Sequence, residues 1–157
     1  MLETLGFFII LASTKSCEIM KSRFLLLVML FTFVASHGQT IDEAFITGKW
    51  KVKKATALKN ADKAETKELV TGFQKATYSF NSDHSFTFET KSSTKMMEQL
   101  EKLFQNNQWI FDKKKKQIKV GLKKEGYSNI TFIVSVKEKK IIFVIEDAQI
   151  EMVMKKQ

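Results

Sequence analysis

Asn129-Ile-Thr-Phe-Ile-Val-Ser-Val-Lys137, Lys140-Ile-Ile-Phe-Val-Ile-Glu146 and Gln149-Ile-Glu-Met-Val-Met-Lys-Lys156 follow one another near the end of the chain, separated by gaps of two residues. Each carries an apolar residue at every second position: Ile130, Phe132, Val134 and Val136, then Ile141, Phe143 and Ile145, then Ile150, Met152 and Met154. A period of two puts successive side chains on opposite faces, so each segment predicts a half-buried strand. Gaps this short join only antiparallel neighbours.

The same alternation runs back toward the N-terminus. Gly48–Leu58 carries Trp50 and Val52 between lysines; Gln74–Asn81 carries Ala76, Tyr78 and Phe80; His84–Lys91 carries Phe86 and Phe88. Asn107–Lys113 adds Trp109 and Phe111, and Lys116–Lys123 adds Ile118, Val120 and Leu122. Two segments break the pattern. Ser93–Gln105 spaces Met96, Met97, Leu100, Leu103 and Phe104 as one helical face, with Ser92 or Ser93 as N-cap. Asn60–Thr71 reads as a second helix, with Asp62 and Glu65 at capping-box spacing and Gly72 just past its end.

Eight strands and two helical connections predict an all-β domain over residues 39–157, an eight-stranded antiparallel up-and-down barrel. Eight strands close a barrel whose interior is filled by side chains or holds one small ligand, and closure removes aggregation-prone edges. An open sheet packed on the 93–105 helix is the competing arrangement. In an up-and-down meander the odd-numbered connections share one end. That places the helical connections 59–73 and 92–106 together at a mouth, and the tight turns 82–83, 114–115 and 138–139 at a floor. Ile41–Thr47 starts at the floor and can plug it with Phe45 and Ile46. Lysine gathers there too: Lys49, Lys51, Lys113, Lys114, Lys115, Lys116, Lys137, Lys139, Lys140, Lys155 and Lys156 outnumber Asp42, Glu43, Asp83, Asp112 and Glu138. Such a pole is a candidate contact for an anionic membrane surface, or a set of ordinary solvated turns.

The 157-residue chain has a formal net charge of +9. Residues 20–39 have the form of a secretory signal peptide: Lys21 and Arg23 precede the apolar run Phe24–Ala35, and Ser36 and Gly38 sit at −3 and −1 of a cut before Gln39. The apolar run is shorter than the roughly 20 residues of a membrane span. Residues 1–19 read as an upstream extension that is not translated, with Met20 as the start. The expected product is periplasmic or secreted. It contains no cysteine, since Cys17 is the only one, which suits an oxidising compartment. It also contains no arginine, because Arg23 is lost with the leader. Arginine dominates specific base and phosphate contacts, so nucleic acid is not an expected partner.

Catalysis has little support. His84 is the only histidine after the leader, and its neighbour Asp83 would point to the opposite face of a strand. No His/Cys ligand cluster, Gly-rich phosphate loop or nucleophile elbow occurs. The expectation is a non-enzymatic protein with no cofactor and no metal.

Gly48-Lys49-Trp50 at the start of the first strand resembles the Gly-x-Trp signature of lipocalins, and Tyr78-Ser-Phe-Asn-Ser-Asp-His-Ser-Phe-Thr-Phe88 is similar to the second hairpin of small bacterial lipocalin-like domains. The likeness runs from about Ile46 to Lys156. It implies a closed barrel with Trp50 as a structural floor residue, and a small apolar ligand entering at the other end. Lipocalins usually cover that tryptophan with an arginine; here Lys155 or Lys156 would provide the cover. The chain is also shorter than most lipocalins.

Inward parity gathers Tyr78, Phe88, Trp109, Phe132 and Phe143 in the interior, and also turns Lys54 and Thr56 inward near the mouth beside Thr90. These eight residues are the candidate ligand contacts. The partner they imply is a small apolar molecule, with Lys54 suited to a carboxylate on it. The alternative is that the rings simply fill the barrel at interior packing density, with Lys54 reaching out to solvent. The protein would then be an envelope interaction or structural module that binds a protein or an anionic lipid surface through its lysine-rich pole.

Overall fold

The computed structural model describes residues 40–157, and the expected leader, residues 1–38, lies outside them. All eight alternating segments form strands: β1 Gly48–Ala57, β2 Ala76–Phe80, β3 Phe86–Thr90, β4 Gln108–Asp112, β5 Gln117–Gly121, β6 Ile130–Lys137, β7 Lys140–Ile145 and β8 Ile150–Lys156. Among the described residues helix α1 Glu43–Ile46 precedes β1, α2 Ala64–Gln74 joins β1 to β2, α3 Lys95–Leu103 joins β3 to β4, and a 3₁₀ turn at Lys123–Glu125 joins β5 to β6.

The strands form one sheet in the order β3-β2-β1-β8-β7-β6-β5-β4. Each neighbouring pair is antiparallel, and β8 returns to pair with β1. This is the expected up-and-down meander, nearly closed on itself. The seam lies between β3 and β4, where a single bridge joins Ser85 to Gln108. Two further hydrogen bonds reinforce it: the Phe86 N–H donates to the Asn107 carbonyl at 2.9 Å, and the Trp109 N–H to the His84 carbonyl at 2.9 Å. Beyond that point β3 would be a bare edge, and α3 covers it. Phe104 packs edge-on against Phe86 and Phe88 at centroid separations of 5.7 and 5.5 Å. The Glu101 carboxylate accepts the Thr90 N–H at 2.8 Å, so an edge donor that would invite another chain is occupied.

The helices differ from expectation in detail. Asn60 adopts a left-handed conformation, φ 52, and its carbonyl accepts the Lys63 N–H. Asparagine tolerates that region well, and the turn it makes delays α2 until Ala64, so Asp62 and Glu65 form no capping box; Lys63 is the N-cap and makes no side-chain cap bond. Gly72 lies within α2 rather than after it. α3 begins later than expected, with Thr94 as its N-cap. Leu103, expected on its buried face, is 51% exposed.

A local rule is broken at the β6–β7 turn. Lys137 pairs with Lys140, and Glu138 and Lys139 both have positive φ, 48 and 63. A two-residue turn of this kind favours Asn-Gly, and a left-handed residue other than glycine costs roughly 1–2 kcal/mol. Replacing Glu138 by Asn and Lys139 by Gly should therefore stabilise the domain by about 1 kcal/mol. Urea unfolding reads the effect, and an unchanged midpoint would mean that this turn is not strained.

Candidate functional site

Tyr78, Trp109, Phe132 and Phe143 are fully buried, and Phe88 is 6% exposed. The structure turns all five inward as expected, and they pack against one another directly or through Phe80. Tyr78 lies 5.3 Å from Phe88 and 5.4 Å from Phe132, ring centroid to centroid. Phe80 lies 5.5 Å from Trp109 and 6.2 Å from Phe143. Phe143 in turn lies 5.3 Å from Trp50. These are packing distances for aromatic pairs, so the rings form a continuous stack along the barrel.

One polar group stands out in that stack. The Tyr78 hydroxyl donates to the Met152 Sδ at 3.4 Å, and a thioether is a weak acceptor. Burial holds the Tyr78 phenol well above its ordinary pKa. The folded state therefore keeps a proton that the unfolded chain releases at about pH 10, and stability falls as pH rises beyond that point. Tyr78 should contribute no phenolate absorbance until the barrel opens. An alkaline titration read by near-ultraviolet absorbance and circular dichroism checks this, and ionisation of both tyrosines before any loss of fold would contradict it.

Lys54 and Thr56 correct the sequence expectation: both are exposed and face outward. The cause is a β-bulge. Val52 pairs with Met154, but Lys54 pairs with Val153 and Ala55 with Met152, so the β1–β8 register shifts at Lys53. One extra residue reverses the parity of all that follow it. Ala55 now points inward, and Lys54 and Thr56 line a shallow recess on the outer wall with Lys137, Ile142, Glu151 and Val153. Gln74 holds the bulge in place. Its side-chain amide donates to the Lys53 carbonyl at 2.7 Å, and its oxygen accepts the Ala55 N–H at 2.7 Å. Gln74→Ala should cost about 1–2 kcal/mol in chemical denaturation. It should also deprotect the Ala55 amide in hydrogen exchange, and unaltered protection would show that the bulge holds itself.

Thr90 reaches the mouth as expected, yet its hydrogen bonds are already committed. Its hydroxyl donates to the Gly72 carbonyl at 3.0 Å and accepts the Ser92 N–H at 3.1 Å. The two helical connections do share this end, where α2 and α3 meet. A Cβ built on Gly72 would fall 2.6 Å from the Met97 Cγ, and Met97 is fully buried. Phe73 adds a ring 6.1 Å from Phe88. The mouth is therefore covered by Gly72, Phe73, Met97 and Phe104.

The floor is sealed as well. The Trp50 indole N–H donates to the Ile46 carbonyl at 2.7 Å, and the Phe45 ring packs against the indole at a tilt, 5.6 Å between centroids. Lys156 provides the cover expected of Lys155 or Lys156. Its ammonium lies 5.4 Å above the Trp50 ring and donates to the Phe45 carbonyl at 2.8 Å. His84 belongs to the same structural end. Its Nδ1 lies 3.2 Å from the Trp109 carbonyl, and its Nε2 lies 3.5 Å from the Glu43 carboxylate on α1. Asp83 and Asp112 are held below their usual carboxylate range by hydrogen bonds, Asp83 by the Ser85 hydroxyl and N–H, Asp112 by the N–H groups of Lys115 and Lys114. Both are turn-formers, and their support for the turns is lost as pH falls through that lowered range.

The lysine pole is exposed. Lys51 pairs with Lys155, Trp50 with Lys156 and Lys137 with Lys140, so the ends of β1, β6, β7 and β8 lie side by side. The Val134 N–H donates to the Lys116 carbonyl at 2.9 Å, which brings the 113–116 turn alongside. Among the described residues no three His, Cys, Asp or Glu side chains gather as a metal site, and no helix is long and apolar enough to cross a membrane. Sequence reasoning placed Met97 on the buried face of its helix but missed the roles of Gln74 and Glu101. Their roles depend on contacts between distant segments, which periodicity does not carry. Comparison with known protein families, curated proteins and solved structures finds no match for this chain.

Proposed function

We propose that this protein is an exported, non-catalytic, lipocalin-like module that binds an anionic lipid surface through its lysine-rich pole. The observation that carries this reading is the packed aromatic interior, in which Trp50, Tyr78, Phe80, Trp109, Phe132 and Phe143 are fully buried and linked through ring-to-ring contacts. Rings occupied with one another leave the outer surface as the better candidate for binding. The pole offers exposed lysines at residues 113–116 and at Lys139, Lys140 and Lys155. Each is worth about 1 kcal/mol near an anionic lipid surface. Export rests on the Lys21–Gly38 signal pattern, and lipocalin likeness on Gly48-Lys49-Trp50 and the eight-stranded barrel.

Co-sedimentation with vesicles tests it. Binding should rise with anionic lipid content and collapse at high salt. Binding to zwitterionic vesicles alone, or binding that survives high salt, would count against the pole.

A carrier of a small apolar ligand is the second reading, and the Tyr78 hydroxyl favours it. A ligand oxygen would be a better acceptor than the Met152 sulfur. Entry would require α2 and α3 to part. Saturable quenching of tryptophan fluorescence by a fatty acid would favour the carrier.

A further inference from the structure

A groove of about 640 Å³ runs along the outer wall, and its lining includes Lys49, Lys51, Lys75, Lys91, Thr77 and Glu89. We infer that it binds an acidic saccharide, a short sugar chain bearing carboxylates, presented at the surface on which the module rests. The inference rests on the surface-module reading above and gives that surface a chemical identity.

The groove is built by register. Lys51 lies opposite Thr77, and Thr77 opposite Glu89, so the three sit side by side across β1, β2 and β3. The Lys91 N–H donates to the Lys75 carbonyl at 3.4 Å, which sets those two lysines together at the far end. Lys49 pairs with Glu89 at 3.4 Å. Among the described residues, Lys51, Lys75 and Lys91 have no carboxylate within ion-pair distance. The groove thus runs from the edge of the lysine pole up the wall, with three uncompensated positive charges along it.

Three features select the occupant. Four lysines against one acidic side chain, Glu89, favour an anion. Lysine acts as a point charge, which carboxylates spaced along a chain satisfy without forked geometry. Second, the lining contains no large apolar side chain; β1 and β2 are interior strands, and the Thr90 N–H on the β3 edge is already taken by Glu101. A peptide can neither anchor a hydrophobic side chain here nor add as a strand, and an acyl chain gains nothing. Third, the Thr77 hydroxyl and the Glu89 carboxylate stand among the lysines and suit hydroxyl groups on the same ligand. Carboxylates and hydroxyls alternating along one chain describe a uronic acid oligomer.

The test titrates the 39–157 protein with oligogalacturonate, with its methyl-esterified neutral form and with poly-glutamate, by calorimetry at low and high salt. The same preparations are run with vesicles. Oligogalacturonate should bind saturably, and weaken at least tenfold in high salt and in the K75E/K91E variant. Lys75 and Lys91 lie outside the pole, so vesicle binding of that variant should fall far less than that of K114E/K139E, which has the same net charge, and the variant should still unfold cooperatively. Equal binding of the neutral form, equal binding of poly-glutamate, or an unaffected K75E/K91E variant would each overturn the assignment. Vesicle binding without saccharide binding removes the groove and leaves the module. Saccharide binding without vesicle binding does the reverse.

Discussion

Trp50→Ala should cost about 3–5 kcal/mol, a large share of the roughly 5–15 kcal/mol that holds a domain together. Trp50 is fully buried, and it is the point at which the floor is assembled. Phe143 packs on it from within at 5.3 Å and Phe45 from below at 5.6 Å, while Lys156 lies over it at 5.4 Å. Truncation removes the ring that all three contact and leaves the Ile46 carbonyl without its indole donor. Trp50→Phe separates the two contributions. It keeps an aromatic plug but loses the N–H, and should cost about 1–3 kcal/mol. Lys156→Ala, which removes only the cation and its stem, should cost about 1 kcal/mol. Urea denaturation of the three variants should rank them in that order. A Trp50→Ala protein that unfolds at the wild-type midpoint would mean that the floor is held elsewhere.

The strands were legible because an apolar residue recurs at every second position within each strand from Ile130 to Met154, and because a meander leaves little freedom in how they pair. The return of β8 to β1, the shared end of the helical connections and the cover over Trp50 all follow from strand parity or from the lipocalin resemblance. Parity also misplaced Lys54 and Thr56, as it did Val136, which is 38% exposed at the end of β6. It counts residues, and nothing in Trp50-Lys-Val-Lys-Lys-Ala55 announces that Lys53 is extra. The bulge is held by Gln74, a residue on a different element, so its cause is not local. Lys54 and Thr56 were lost from the candidate site for that reason. The seam was equally hidden. Nothing in the pattern marks β3 and β4 as the pair that fails to zip, because the failure comes from α3 lying across the gap with Glu101 on the Thr90 N–H. Whether an inward-facing set of rings encloses space or fills it depends on ring-to-ring distances. Composition sets the volume of the rings but not the volume of the barrel.

Gly72→Val should destabilise by about 2–3 kcal/mol, and the second site Met97→Ala should relieve much of that cost. Gly72 lies in the interior of α2, where a β-carbon would ordinarily help the helix. Here it would enter the Met97 side chain, which has the glycine on one side, the core around it and no exposed surface to move into. Valine forces the two helices apart or the methionine out of its rotamer. Met97→Ala alone opens a cavity and should cost about 2–5 kcal/mol. In the double variant the valine occupies part of that space, so the two losses should fall short of additivity by more than about 1 kcal/mol. The coupling measures how tightly the mouth is held shut. If Gly72→Val leaves stability unchanged and allows a hydrophobic dye to bind, α2 and α3 part easily, and the small-ligand reading gains over the surface module. If it destabilises without admitting dye, the helices are part of the core and the interior is closed by construction.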